Sequence, residues 1–231
     1  MRTTTKSLTA LLSAGIVVAA LAGCSQSGTG SSDSSGAGSS SSSSATPSSA
    51  PTPALKTAIG GKSTAITLDS GFVDALTSLK LTPGTVGNAT LSKAGVLTFP
   101  ITGGNVTYYD PSTGVRPYVQ GEIDHEDSGL SLTAGDKKVE LRNFVIDPGN
   151  DSHVSGDVFL NGKSVVKDAN LFRLDGSTLN PVTMDGDAYI LEGTTVYVSE
   201  DAAALLNKTF GTDAVTGDLK VGIAKLTVTG K

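Results

Sequence analysis

The chain has no tryptophan, two methionines, two histidines and one cysteine in 231 residues. Each scarcity excludes something. A single cysteine rules out a disulfide within the chain and any thiolate cluster for metal. Two histidines, His125 and His153, do not form a His-Glu-x-x-His pair. No Gly-x-Ser-x-Gly elbow and no phosphate-cradling glycine loop occurs either. Basic residues never cluster, which excludes nucleic-acid binding through phosphate neutralisation and polybasic contact with a membrane. No apolar run past residue 24 approaches the roughly 20 residues of a membrane span.

What is present begins at the N-terminus. Arg2 and Lys6 precede an apolar run from Leu8 to Ala22, which reads as a secretory signal peptide over residues 1–23. Its end, Leu21-Ala22-Gly23-Cys24, resembles the bacterial lipoprotein lipobox. The resemblance implies cleavage before Cys24, acylation of its sulfur, and a mature protein anchored at the extracytoplasmic face of the cell membrane. A thiol is the nucleophile such acyl-type transfer needs. No Arg-Arg pair points to a twin-arginine route. Without residues 1–23 the chain keeps 15 basic and 22 acidic residues, a net charge of −7.

Residues 24–53 are about half serine, with Gly, Ala, Thr and Pro. Such a stretch buries too little surface to offset its ordering entropy and reads as a disordered tether. Its root-mean-square reach is roughly 30 Å. Residues 54–231 then form one domain, and a chain starting near Lys56 is expected to fold as well as one starting at Ser25.

In that domain the pattern has period two, rich in β-branched residues and punctuated by Gly, Asn and Asp. Strands are expected at 64–68, 89–92, 96–99, 105–109, 118–124, 130–133, 138–146, 153–160, 170–174, 188–191, 195–199 and 219–229. Turns are expected at Pro83-Gly84, Gly103-Gly104, Gly135-Asp136, Asp147–Asn150, Asn161-Gly162 and Asp185-Gly186. Asn161-Gly162 is the strongest hairpin signal, because that pair takes the positive φ values of a type I′ turn. In the stretch 139–147, Val139, Leu141, Asn143 and Val145 fall on one face and Glu140, Arg142, Phe144 and Ile146 on the other. Neither face is purely apolar. Two helices are expected, Ser70–Leu79 and Glu200–Thr209, the second capped by Ser199. The fold class is all-β: a two-sheet β-sandwich with two short helices, with a closed barrel as the alternative.

Two runs carry a family resemblance: Leu97–Gly104, and Val119-Gln120-Gly121-Glu122-Ile123-Asp124-His125 leading into Gly129-Leu130-Ser131-Leu132. The second is similar to a signature of the Htaa domains, haem-binding modules of actinobacterial envelopes with a β-sandwich fold. The match covers about 64–165. It implies that His125 is the family histidine and Phe72 the phenylalanine of the opening helix. The position of the family's iron-ligating tyrosine falls at or near Ala75, which has no oxygen, and the tryptophan usual before that helix is missing.

The remaining candidates are weighed by chemistry. Asp124-His125-Glu126-Asp127 is the densest polar cluster. His125 could bond a ligand or support a metal, but its acidic neighbours predict a strand end entering an exposed turn, where His125→Ala costs little. Tyr108, Tyr109 and Tyr118 stand near Arg116. A phenolate can bind ferric haem iron and an arginine can hold a propionate, while the plain expectation is tyrosine at a sheet periphery. Asp147–Ser152 and Asp185–Asp187 are oxygen-rich but lack calcium-loop spacing and read as turns. The sequons at Asn88, Asn105, Asn150 and Asn207 read as chance. No catalytic and no metal site is expected, and no cofactor unless haem. The expected function is a non-enzymatic, lipid-anchored binding or structural module whose partner is an unnamed envelope ligand or protein. The alternative is an Htaa-like haem-binding or haem-relay lipoprotein, and a third reading is a hydrolase.

Overall fold

The computed structural model describes residues 50–231. The expected signal peptide, Cys24 and nearly all of the serine-rich stretch lie outside the described residues. The elements run β1 (Leu55–Leu68), α1 (Ser70–Ser78), β2 (Thr82–Gly87), β3 (Thr90–Leu91), β4 (Val96–Pro100), β5 (Gly103–Tyr108), β6 (Val119–Ala134), β7 (Lys137–Asp147), β8 (His153–Leu160), β9 (Lys163–Asp175), β10 (Thr183–Asp185), β11 (Ala188–Val198), α2 (Glu200–Phe210) and β12 (Lys220–Gly230).

All ladders are antiparallel, and β6 through β9 follow one another through short turns, which require that direction. The pairing runs from β5 through β6, β7, β8, β9, β11 and β12 to β1, and β1 pairs β5 again. The result is not a regular barrel. One edge of β1 serves two neighbours, Leu55–Ala58 against β5 and Ser63–Thr67 against β4. The register against β12 slips between Ile59 and Gly61, where the strand bends. The sheet thus folds over into a flattened sandwich, with Ile59, Ile123, Leu171 and Val228 among its most enclosed side chains.

Local chemistry explains the ends of the elements. Asp69 accepts from the Gly71 N–H at 2.9 Å and starts α1. Ser199 accepts from the Ala202 N–H at 3.0 Å and starts α2, as expected from sequence, and Gly211 ends that helix with a φ of 71°. Phe72 and Leu76 of α1 and Ala202 and Leu206 of α2 face one small void of about 20 Å³ together with Leu132 and Phe172. The two helices therefore plug the sandwich interior on that side. Asn161 and Gly162 have φ values of 50° and 78°, the signature expected of the β8–β9 turn.

Several boundaries differ from the sequence pattern. β1 and β9 start earlier than expected, at Leu55 and Lys163. The first half of β9 is exposed throughout, so no core periodicity marks it. β6 and β11 each join two expected strands, and β2 and β10 were not expected. The expected turns Pro83-Gly84 and Gly103-Gly104 lie inside ladders. At Gly104 φ is 105° and a Cβ would run into the Glu122 carbonyl, so here glycine serves a close approach of strands rather than a turn.

Candidate functional site

A cavity of about 360 Å³ lies between the layers, within the size range of small-molecule sites, about 300–1,000 Å³. Strands β1, β4, β6, β7, β8, β9, β11 and β12 supply its wall, through residues such as Ile66, Leu97, Phe144, Leu174, Val196 and Leu226. One wall carries a chain of edge-to-face rings. His125 meets Phe99 at 6.5 Å, Phe99 meets Phe144 at 5.2 Å, and Phe144 meets Phe172 at 6.0 Å. Such contacts suit flat apolar guests as well as each other. Three connections also border the cavity: Arg116–Tyr118 before β6, Pro148–Asn150 between β7 and β8, and the Gly176-Ser177 turn after β9.

His125 is not in an exposed turn. β6 runs through it, and the side chain is 2% exposed, so the expectation of a tolerant surface site is corrected. The acidic neighbours misled because a bulge between His125 and Gly129 ends the alternation there and turns Glu126 and Asp127 outward. Both ring nitrogens are engaged. Nδ1–H donates to the Phe144 carbonyl at 3.2 Å. Nε2 accepts from the Thr64 hydroxyl at 2.8 Å. Burial pushes the imidazole pKa down to about 4, so the ring is neutral at physiological pH.

Tyr118 and Arg116 line the cavity, whereas Tyr108 and Tyr109 do not. The Tyr118 hydroxyl donates to the Gly176 carbonyl. Burial raises its pKa, with the neighbouring Tyr108 adding to the effect, so a phenolate is disfavoured. The Arg116 guanidinium sits 5.7 Å from the Tyr118 ring centre and donates to the Val115 carbonyl at 2.7 Å. Tyr108 is a core residue behind Tyr118, their rings 6.2 Å apart. Tyr109 follows β5, and its N–H bonds the Tyr118 carbonyl at 2.7 Å. Of the expected cluster, then, the cavity gathers His125, Arg116 and Tyr118. Sequence reasoning missed Thr64 and Phe172. A threonine in a strand carries no signal that it will face a histidine 61 positions away.

Of the other oxygen-rich segments, Asp147–Ser152 is held by its own hydrogen bonds. Asp147 accepts from the Gly149 N–H at 2.7 Å, and the Ser152 hydroxyl donates to the Gly149 carbonyl at 2.6 Å. Among the described residues no three His, Cys, Asp or Glu side chains stand close enough together to hold a metal ion. No helix among them is long and apolar enough to cross a membrane.

A haem asks three things of such a site: an apolar slot, a cation near its carboxylates and a donor for iron. The slot is present, and Arg116 is the cation. The donor is not. Ala75 lines the small void beside α1 and α2 rather than this cavity. The His125 and Tyr118 polar atoms are already bonded within the protein. The apolar lining suits the face of such a ring, and neither ligand-type side chain is free for its iron.

No family model and no curated protein matches this chain in sequence. Its fold is similar to that of the C-terminal domain of HtaA from Corynebacterium glutamicum, with a TM-score of 0.51 and 14% identity over 75% of this chain and 98% of that one. A second solved structure, the haem binding protein HtaB from Corynebacterium glutamicum, has a TM-score of 0.48 and 9% identity over 76% of this chain and 96% of that one. The likeness to the HtaA domain is one of fold, an all-β sandwich with two short helices.

Proposed function

We propose that this protein is a non-enzymatic, Htaa-like binding module that takes a haem-type tetrapyrrole into the cavity between its layers. A lipid on Cys24 anchors it at the extracytoplasmic face of the cell membrane. The observation that carries the reading is the cavity itself: apolar, walled by a row of aromatic rings and bordered by Arg116. The Gly121–Leu132 segment, similar to the Htaa signature, supports it by supplying both His125 and Leu130 to that wall. Haemin added to the purified chain is expected to give a saturable, one-to-one change in the Soret band. The reading fails if haemin absorbance stays that of the free compound at micromolar protein. Anchoring is tested separately: palmitate labelling and detergent partitioning are expected to vanish in Cys24→Ala.

A second reading is a single-chain amphiphile with one anionic head. Among the described residues Arg116 is the only charged side chain lining the cavity, where the two carboxylates of a haem would be better matched by two cations. Displacement of a fluorescent fatty acid by haemin ranks the two: haemin is expected to compete at the lower concentration.

A further inference from the structure

The hydrogen bonds of the cavity wall carry a consequence for how a tetrapyrrole would be held there. We infer that the site recognises the ring and its carboxylate edge, with no bond from any protein side chain to a metal at the ring's centre. This rests on the tetrapyrrole reading and goes beyond it by specifying the ligand class: porphyrins irrespective of metal.

Two side chains at the cavity are of the type that ligates haem iron, and each is committed. His125 is oriented by its Nδ1–H bond to the Phe144 carbonyl, which aims Nε2 at Thr64. Iron would have to occupy the direction that the Thr64 hydroxyl fills, 2.8 Å from Nε2. Thr64 cannot retreat readily. It is 3% exposed, and its strand is paired on both sides at that residue, with Phe99 of β4 and Leu226 of β12. With the main chain fixed, turning the side chain about χ1 would free Nε2 only by leaving the buried hydroxyl without this partner. On the backbone side, the Ser128 hydroxyl donates to the His125 carbonyl at 3.1 Å and holds the bulged segment in place. Tyr118 is committed to the Gly176 carbonyl, and its raised pKa keeps the proton that iron ligation would remove. The contacts open to a guest include the rings of Phe99, Phe144 and Phe172, the aliphatic side chains around them and the guanidinium of Arg116. None of these senses a metal bound at the centre of the macrocycle.

The test is a pair of titrations on the full chain, one with haemin and one with metal-free protoporphyrin IX, read by quenching of intrinsic tyrosine fluorescence. The two dissociation constants are expected to agree within tenfold, and bound haemin is expected to take up added imidazole with a Soret shift while staying on the protein. Haemin binding at least tenfold tighter than the metal-free ring overturns the inference, as does failure of imidazole to reach the bound iron. In that case His125→Ala and Tyr118→Phe identify the donor, since the responsible variant loses the preference. If neither compound binds, the tetrapyrrole reading itself is wrong and the inference falls with it, an outcome distinct from a preference for haemin.

Discussion

His125 is the residue whose environment reaches furthest. A neutral imidazole with both nitrogens bonded sits in an apolar wall, and burial lowers its pKa from 6.5 to about 4. The sign of the linkage follows from proton counting. Between those values the unfolded chain binds a proton that the folded chain refuses, so stability is whole above about pH 6.5 and falls as pH drops toward 4. The full shift corresponds to about 3 kcal/mol. The Glu140 carboxyl is shifted away from that window. Burial would raise Glu140, but its bonds to Lys138 and Arg142 outweigh this and lower it. Urea midpoints measured from pH 7.5 to 4.5 are expected to fall steadily in the native chain. In His125→Gln they should stay nearly flat over the same range, from a lower starting value. A native profile as flat as the variant's would mean the ring is solvated. Truncation to alanine strands the Thr64 hydroxyl and opens a void, so its expected cost is about 2–4 kcal/mol rather than the small cost of an exposed turn.

Among the elements, the paired irregularities of β6 and β7 decide which side chains reach the cavity. Strict alternation along 139–147 would put Val139 and Leu141 on one face and Phe144 and Ile146 on the other. All four are buried. The register against β8 slips between Arg142 and Val145, and Asn143 sits at a φ of 55°. That one-residue bulge swaps the faces midway. The register of β6 against β7 slips beside it, and Asn143 accepts from the Asp127 N–H at 3.2 Å. The mixed composition of both expected faces was the sequence's trace of this bulge, but nothing local said where the swap falls. Asn143→Gly should keep the left-handed backbone and lose only side-chain bonds. Asn143→Val must also hold a β-branched residue in that region, at a further cost of about 1–2 kcal/mol. Chemical denaturation of the two variants measures the difference. Equal stabilities would show that the bulge is not required.

For the whole molecule, the sandwich begins at Leu55. Leu55 is 4% exposed and pairs with Tyr108, and the Ala54 N–H bonds the Tyr108 carbonyl at 2.8 Å. A chain beginning near Lys56, expected from sequence to fold as well as one from Ser25, would lack a core side chain and the end of a ladder. A chain starting at Ala50 is expected to melt within a degree or so of one starting at Ser25. One starting at Lys56 should melt several degrees lower, given the roughly 2–5 kcal/mol that a buried leucine contributes. Matching melting points for all three would place Leu55 outside the cooperative core.

By itself the sequence determined the all-β class, both helices with the Ser199 cap, and the Asn161-Gly162 hairpin. These depend on periodicity, capping and backbone preference within a few residues. It also marked His125, Tyr108, Tyr109, Arg116 and Tyr118 as ligand candidates, three of which line the cavity. Only the tertiary structure decided that the first is buried, that Thr64 occupies its Nε2, that Tyr108 and Tyr109 stand apart from the cavity, and that two adjacent bulges turn Phe144 inward. Those outcomes depend on register between strands far apart in the chain. A slip of one residue reverses every face, and no short-range pattern records it.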